Sequence, residues 1–420
     1  MVATRLGRRF WTLWAAFSTA SLGDGITYVA FPLLAVELTD DARLVALVAA
    51  ARFLPFLVVG LPAGVVIDRV DRRWLAAAAQ AGRAVVLVAL AVVVTIDLAT
   101  PWLVAVAAFV IGLGEVVTDG GLPAIVRDLV RPDQLEVANS RMSATQTVTN
   151  YFIGPPAGAF LFTAAPSVPF VVSGLVFVAA ALALAGLPGR FRPARSSEAP
   201  PSSGPDERAS GGWARELTVG LRYVWGHPVL RPLAMTVAAF AFAGEAGNAV
   251  FVLLVTERLG LSAGWYGILI SLDAAASVVT SFFVARLVAR IGHAGSMRVA
   301  VIAYALSAVM FGTVTAVPLF ALAMVASGVS DPTWNVVSAT IRQRLVPDEL
   351  FGRMMTAYLV LAWSLQPVGA MVGGVVADAW GPEWVYLGAA VVVSSLLVLG
   401  RPLFRQVSEA MAPGVARQLR

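Results

Sequence analysis

The sequence predicts an all-α membrane protein of twelve transmembrane helices in two pseudo-symmetric six-helix halves. Three observations predict it. Apolar residues make up 59% of the 420-residue chain and charged residues 13%, about half the charge of a soluble globular protein. The apolar residues lie in continuous runs long enough to cross a bilayer as helices, which takes roughly 20 residues each; a membrane barrel would show alternating segments of about ten. A single long polar stretch, 188–215, divides the chain near its middle. The same composition excludes a soluble enzyme, a disordered chain and a nucleic-acid-binding domain, because the net charge of +5 is spread over many short loops rather than gathered on one face. With no cysteine, disulfides, thiolate metal sites and cysteine nucleophiles are excluded. Lysine is absent as well, which reads as the codon usage of a GC-rich bacterium.

The first six spans are expected over 10–36, 44–67, 74–96, 102–125, 140–163 and 168–187. The second six are expected over 230–255, 265–288, 297–317, 319–341, 354–378 and 384–404. The stretch between them is rich in Pro, Ser, Gly and charge and reads as a flexible linker. The chain therefore divides into a half over 1–187, a cytoplasmic linker over 188–229 and a half over 230–420. Within the linker, Trp213, Leu217, Leu221 and Val224 share one face of a short interfacial helix. Arginines set the orientation. Arg5, Arg8 and Arg9 precede the first span, Arg127, Arg131 and Arg141 lie between the fourth and fifth, and Arg342, Arg344 and Arg353 follow the tenth, whereas the opposite loops hold only Arg43 and Arg258. By the positive-inside rule both termini are cytoplasmic, and the expected location is a bacterial cytoplasmic (inner) membrane.

The halves echo each other. Leu129-Val130-Arg131-Pro132-Asp133-Gln134-Leu135 after the fourth span matches Leu345-Val346-Pro347-Asp348-Glu349-Leu350 after the tenth, and Gly23-Asp24-Gly25 has a counterpart in Gly244-Glu245. Such echoes indicate a duplicated six-helix unit.

Ionisable groups in hydrocarbon are costly and must face protein or water, so each is a functional candidate. Asp24 lies mid-way along the first span, Glu115 and Asp119 one turn apart in the fourth, Glu245 in the seventh, and Asp331 with Trp334 in the tenth. Asp273 sits in the eighth, Arg52 in the second and Arg83 in the third; Asn150, in the fifth, is uncharged. The first, fourth, seventh and tenth spans thus hold five of the six acids, which places them around one central cavity with more acids than bases. Trp334 is the aromatic expected in that cavity. Desolvation and like-charge neighbours favour a neutral carboxyl group, so such acids suit proton carriage and, ionised, attract cations. Arg52 and Arg83 are candidate partners of the acids.

Gly64-Val65-Val66-Ile67-Asp68-Arg69-Val70-Asp71-Arg72-Arg73, after the second span, resembles the signature loop of the major facilitator superfamily, with Asp71 in place of a glycine. Aspartate tolerates the left-handed conformation that glycine supplies. Gly154-Pro155-Pro156-Ala157-Gly158 resembles the glycine–proline motif of that superfamily's drug–proton antiporters. Gly-Asp-Gly in the first span, Pro-Asp-x-Leu after the fourth and Ala138-Asn139 look like the branch of macrolide, tetracycline-type and siderophore exporters. The resemblance implies the major facilitator fold, proton-driven drug efflux, and a cytoplasmic gate in which Gly64, Asp68, Arg69, Arg72 and Arg73 act with Asp128. Antiporters of this kind often carry an arginine in the fourth span; this chain has none there, so Arg52 or Arg83 would have to serve.

The expected function is export of amphipathic, cationic small molecules in exchange for protons by alternating access. The alternatives are a dedicated exporter of one endogenous metabolite such as a siderophore, and a non-transporting membrane sensor or assembly factor. Import instead of export remains open. No metal-ligand spacing, phosphate-binding glycine loop or nucleophile triad is present, so neither an enzyme nor a cofactor is expected, and the proton gradient supplies the drive. The expected partners are the lipid bilayer, a small-molecule substrate and protons, with no nucleic acid and a monomeric state.

Overall fold

The computed structural model describes residues 6–59, 70–189, 191 and 212–411. Among them the chain is helical, without a strand. The helices are α1 (Arg8–Leu38), α2 (Ala42–Val58), α3 (Arg72–Thr95) and α4 (Pro101–Leu129), then α5, which runs as Leu135–Gln146, Thr147–Ile153 and Gly154–Ala164. They continue with α6 (Val168–Ala185), α7 (Gly212–Gly226), α8 (Leu230–Leu253, extended by Leu254–Arg258), α9 (Ala263–Thr313), α10 (Val317–Leu345), α11 (Asp348–Trp380), α12 (Pro382–Leu399) and α13 (Arg401–Ala410). Seven of the described helices are long and apolar enough to cross a membrane by length and composition. One of them, α9, holds two predicted spans, joined where Gly292 takes φ 73° and ψ 175°, a conformation glycine adopts without steric cost.

The helices start where side chains can satisfy their free N–H groups. Asp41 caps α2 by accepting from the Arg43 N–H, Asp71 caps α3 through Arg73, and Thr100 caps α4 through Leu103, with Pro101 in the first turn. Asp71 differs from its sequence reading. Its φ of −68° and ψ of 111° are extended, so it replaces the family glycine as a cap rather than as a left-handed turn. It also accepts from the Phe191 N–H at 3.4 Å, while Arg72 donates to the Phe191 carbonyl at 3.2 Å and the Arg73 guanidinium to that of Leu187. The loop before α3 is thereby tied to the chain leaving α6.

The chain packs as two units, one of 1–194 with 248–274 and 373–379, the other of 195–247, 275–372 and 380–420. In the first, α1 packs on α6 and on the Gly154–Ala164 part of α5, α2 on α4, and α3 on both α4 and α6. Parts of the second sequence half, 248–274 and 373–379, also pack here: Arg43 pairs with Asp378 at 2.8 Å, and the Ser271 hydroxyl donates to the Phe152 carbonyl at 3.1 Å.

The second unit is built on a core of Leu230, Phe240, Met297, Trp334, Met354 and Phe404 among others. The interfacial helix expected over 213–225 is α7, and it buries Val224 in this core. The amphipathic α13 lays Leu403, Phe404 and Val407 on the same core and leaves Arg405 and Glu409 paired on its outer face at 3.6 Å.

Candidate transport site

In the first unit, helical periodicity puts Asp24, Thr27 and Tyr28 of α1 on neighbouring positions of one face. Arg52 of α2 and Arg83 of α3 converge on it. Arg83 forms an ion pair with Asp24, donates to the Gln80 side-chain oxygen at 3.2 Å, and stacks its guanidinium 4.0 Å above the Phe177 ring of α6. Arg52 reaches Glu115 of α4 at 3.2 Å and Asp24 at 3.7 Å, and donates to the Thr27 hydroxyl at 3.4 Å. Gly114, one position before Glu115, leaves room for Arg83: a Cβ there would lie 2.5 Å from the arginine's Cδ.

Exposure rises through this cluster. The side chain of Arg83 is 1% exposed, Arg52 8%, Asp24 12% and Glu115 20%, and Asp119, one turn further along α4, is exposed. Arg83 is the buried root and Asp119 the open edge. The two arginines hold Asp24 and Glu115 in ion pairs; Asp119 has no ion pair among the described residues. Three carboxylates face two guanidiniums, so the fully ionised cluster carries one surplus negative charge. Arg83 is a fuller member of this cluster than the sequence alone would make it.

The glycine–proline motif of α5 abuts the cluster. Pro155 and Pro156 lack N–H groups and cannot continue the α-helical ladder. The preceding turn, Thr147–Ile153, widens to a π-helix in which Gly154 donates to Thr149, a local form common at functional sites. Gly154 and Gly158 then press against the backbone of Gly25 and Ile26 on α1. A Cβ on Gly25 would lie 2.5 Å from the Asn150 carbonyl oxygen and 2.9 Å from the Gly154 Cα. Gly25→Ala should therefore push α5 off α1 and cost about 1–3 kcal/mol. A thermal unfolding midpoint in detergent equal to that of the parent protein would count against this. Asn150 thus meets α1 through its backbone, and Gly154, Pro155 and Gly158 serve helix contact.

The second unit gathers another group. Glu245 of α8 is buried and Asp331 of α10 is exposed, and both lie close enough to Tyr304 for their charges to act on its hydroxyl. Trp334 departs from its expected place. It is 3% exposed and stacks on Phe240, ring centroids 4.9 Å apart; three residues on from Asp331 it occupies a neighbouring position of α10, and its indole is taken up by the apolar core.

Of the residues expected to form a cytoplasmic gate, Gly64, Asp68 and Arg69 lie outside the described residues. Arg72 and Arg73 open α3, with Arg73 directed to Leu187 and over the Trp74 ring at 4.6 Å. Asp128 is exposed at the end of α4. Residues that the sequence does not single out are Thr27, Tyr28, Gln80 and Phe177. Their types are ordinary in membrane helices, and only their position beside Arg52 and Arg83 marks them.

The family model of the Major Facilitator Superfamily matches residues 13–365 and 237–416. The multidrug efflux pump Tap of Mycolicibacterium fortuitum is 28% identical over 429 aligned residues, spanning 98% of this chain and 100% of the relative. Tap of Mycobacterium tuberculosis is 26% identical, over 98% of this chain and 97% of the relative. Macrolide efflux protein A of Streptococcus pyogenes is 25% identical over 160 residues, 37% of this chain and 38% of the relative. Among solved structures, the nucleoside transporter NupG superposes with a TM-score of 0.74 at 13% identity, covering 94% of this chain and 100% of that one. A bacterial homologue of the iron transporter ferroportin, in an inward-facing state, gives 0.71 at 16%, over 96% and 98%; at such identities these likenesses show the fold. With a family match running nearly from end to end, and relatives aligned over almost their full length, the chain belongs to the major facilitator superfamily of multi-pass membrane transporters.

Proposed function

We propose that this protein exports amphipathic, cationic small molecules from a bacterial cell across the inner membrane, in exchange for protons, with both termini cytoplasmic. The full-length relatives named as multidrug efflux pumps support export of varied compounds, and the arginine-rich loops support the orientation. The observation that carries the coupling is the cluster of three carboxylates and two arginines, buried at Arg83 and open at Asp119, in which Asp119 is left without an ion pair among the described residues. A carboxylate locked to an arginine stays ionised. One at the open edge, beside another acid, can bind either a proton or the positive charge of a substrate. Competition of the two for Asp119 makes the exchange obligatory. Protonated from outside, Asp119 releases its cation; opened to the cytoplasm, it releases the proton and takes up another. The drive is the proton gradient, with no cofactor.

Inside-out membrane vesicles with an imposed pH gradient, acid inside, test this with a mixed panel of cationic, neutral and anionic amphiphiles. Cations should accumulate in vesicles holding the protein and run out when the gradient is collapsed. Equal accumulation with and without the gradient would refute proton coupling, and accumulation confined to anions would refute the assigned substrate class.

A further inference from the structure

Tyr28 stands one turn above Asp24 on α1 and touches two different partners. Its ring faces the Arg52 guanidinium, 5.8 Å from the centroid. Its hydroxyl donates to the Asn248 side-chain oxygen at 2.9 Å. Asn248 belongs to α8, in the second sequence half, yet packs in the first unit with the ends of α8 and α9. Tyr28 therefore joins the charge cluster to a segment of the opposite half.

We propose that Tyr28 is a positioning residue for transport: its hydroxyl bond to Asn248 relays the charge state around Arg52 to the closure of the bundle end that carries the α3–α4 and α8–α9 loops. The inference rests on the proton-coupled reading above. The charged and titratable groups around Arg52 are Asp24 and Tyr28 from α1, Glu115 with Asp119 from α4, Arg83 from α3 and Tyr151 from α5. When Asp119 neutralises, Arg52 loses the attraction of that charge on the α4 side and its position against the tyrosine ring changes. A ring held on its face by a cation and at its hydroxyl by a neighbouring helix passes that displacement on. The contact is distinct from the others at this end, the Arg43–Asp378 pair and the Ser271 bond to Phe152, neither of which touches Arg52.

The chain has no cysteine, so Leu98→Cys with Ser262→Cys places two spin labels on exposed loop positions without background. Distances are read in proteoliposomes, without substrate, at about pH 6 and about pH 8. In the labelled parent protein the ratio of long-distance to short-distance populations should change by roughly fivefold or more between the two. Tyr28→Phe keeps the ring and removes the hydroxyl; it should leave that ratio nearly independent of pH, and Asn248→Ala should do the same. Ser271→Ala serves as the comparison, since loss of a merely structural contact should shift the ratio at both pH values and leave its pH response intact. A full pH response in Tyr28→Phe would overturn the role of Tyr28 while leaving the cluster's coupling standing. A parent protein whose distances ignore pH would overturn both. Equal flattening in Ser271→Ala would overturn the assignment to Tyr28 in favour of general loosening of this end.

Discussion

Asp119→Asn should abolish concentrative export while leaving downhill movement of the same compounds intact. One pH unit across the membrane, exchanged one proton for one singly charged cation, supports about a tenfold concentration ratio; in Asp119→Asn that ratio should fall to about one. Asparagine keeps the size and hydrogen-bonding capacity of the side chain and removes only its titration, so the helix and the binding surface persist. Asp24 and Glu115 are poorer carriers for a geometric reason. Each faces an arginine at ion-pair distance, and neutralising either leaves a buried guanidinium without its partner. Asp119 has no such cost, because no guanidinium depends on it among the described residues. Asp119→Glu, which keeps the titrating group one methylene further out, should restore part of the gradient. The measurement is accumulation of a cationic substrate in inside-out vesicles across a one-unit gradient. A tenfold ratio held by Asp119→Asn would move the carrier elsewhere in the cluster.

The fold was legible in the sequence because continuous apolar runs have one economical solution in lipid, a helix whose backbone groups satisfy one another. The predicted runs fall on α1 to α6, α8 to α12 and the Gly292 break in α9, to within a few residues where the chain is described. The site was legible by residue type, because a charge in an apolar run is visible at once. Its wiring was not. Asp24 and Arg83 lie 59 positions apart, and periodicity says which face of a helix a residue occupies without saying which helix lies opposite. The same gap misplaced Trp334, whose type suits either a substrate cavity or a core; only the Phe240 ring stacked on it decides. Asp71 was recognised as the residue standing for a glycine, but its capping role depends on where α3 begins and on Phe191, which lies 120 positions away.

The glycine–proline motif shows how a local sequence defect becomes a contact between elements. Pro156 denies the Phe152 carbonyl its α-helical donor, and a bare carbonyl inside a membrane protein is costly. The Ser271 hydroxyl of α9 lies 3.1 Å from that oxygen and 3.0 Å from the Gly267 carbonyl of its own helix. Serine can therefore exchange an intrahelical bond for one to α5 at little cost. The proline pair, the π turn before it and the glycines after it set α5 close against both α1 and α9, which holds α1 and its Asp24 in register with the arginines.

The pair of Asp24 and Arg83 should show the largest stability coupling in the molecule. Arg83 is 2% exposed, and its guanidinium is spent on Asp24, Gln80 and the Phe177 face. Asp24→Asn removes its counter-charge and should cost about 3–5 kcal/mol, the range for breaking a buried pair by deleting one partner. Arg83→Met should cost less, because Arg52 lies 3.7 Å from Asp24 and continues to neutralise it. The combination of Asp24→Asn with Arg83→Met leaves no stranded charge there and fills the arginine's channel with a flexible apolar chain. It should be more stable than Asp24→Asn alone, with a cost well below the sum of the two single changes. Unfolding midpoints of the four proteins in one detergent close the cycle, and transport assays on the same proteins separate stability from coupling. If the two substitutions add, Asp24 and Arg83 act independently and the cluster does not have its root at Arg83; if the combination recovers stability, the pair is the structural base on which Asp119 titrates.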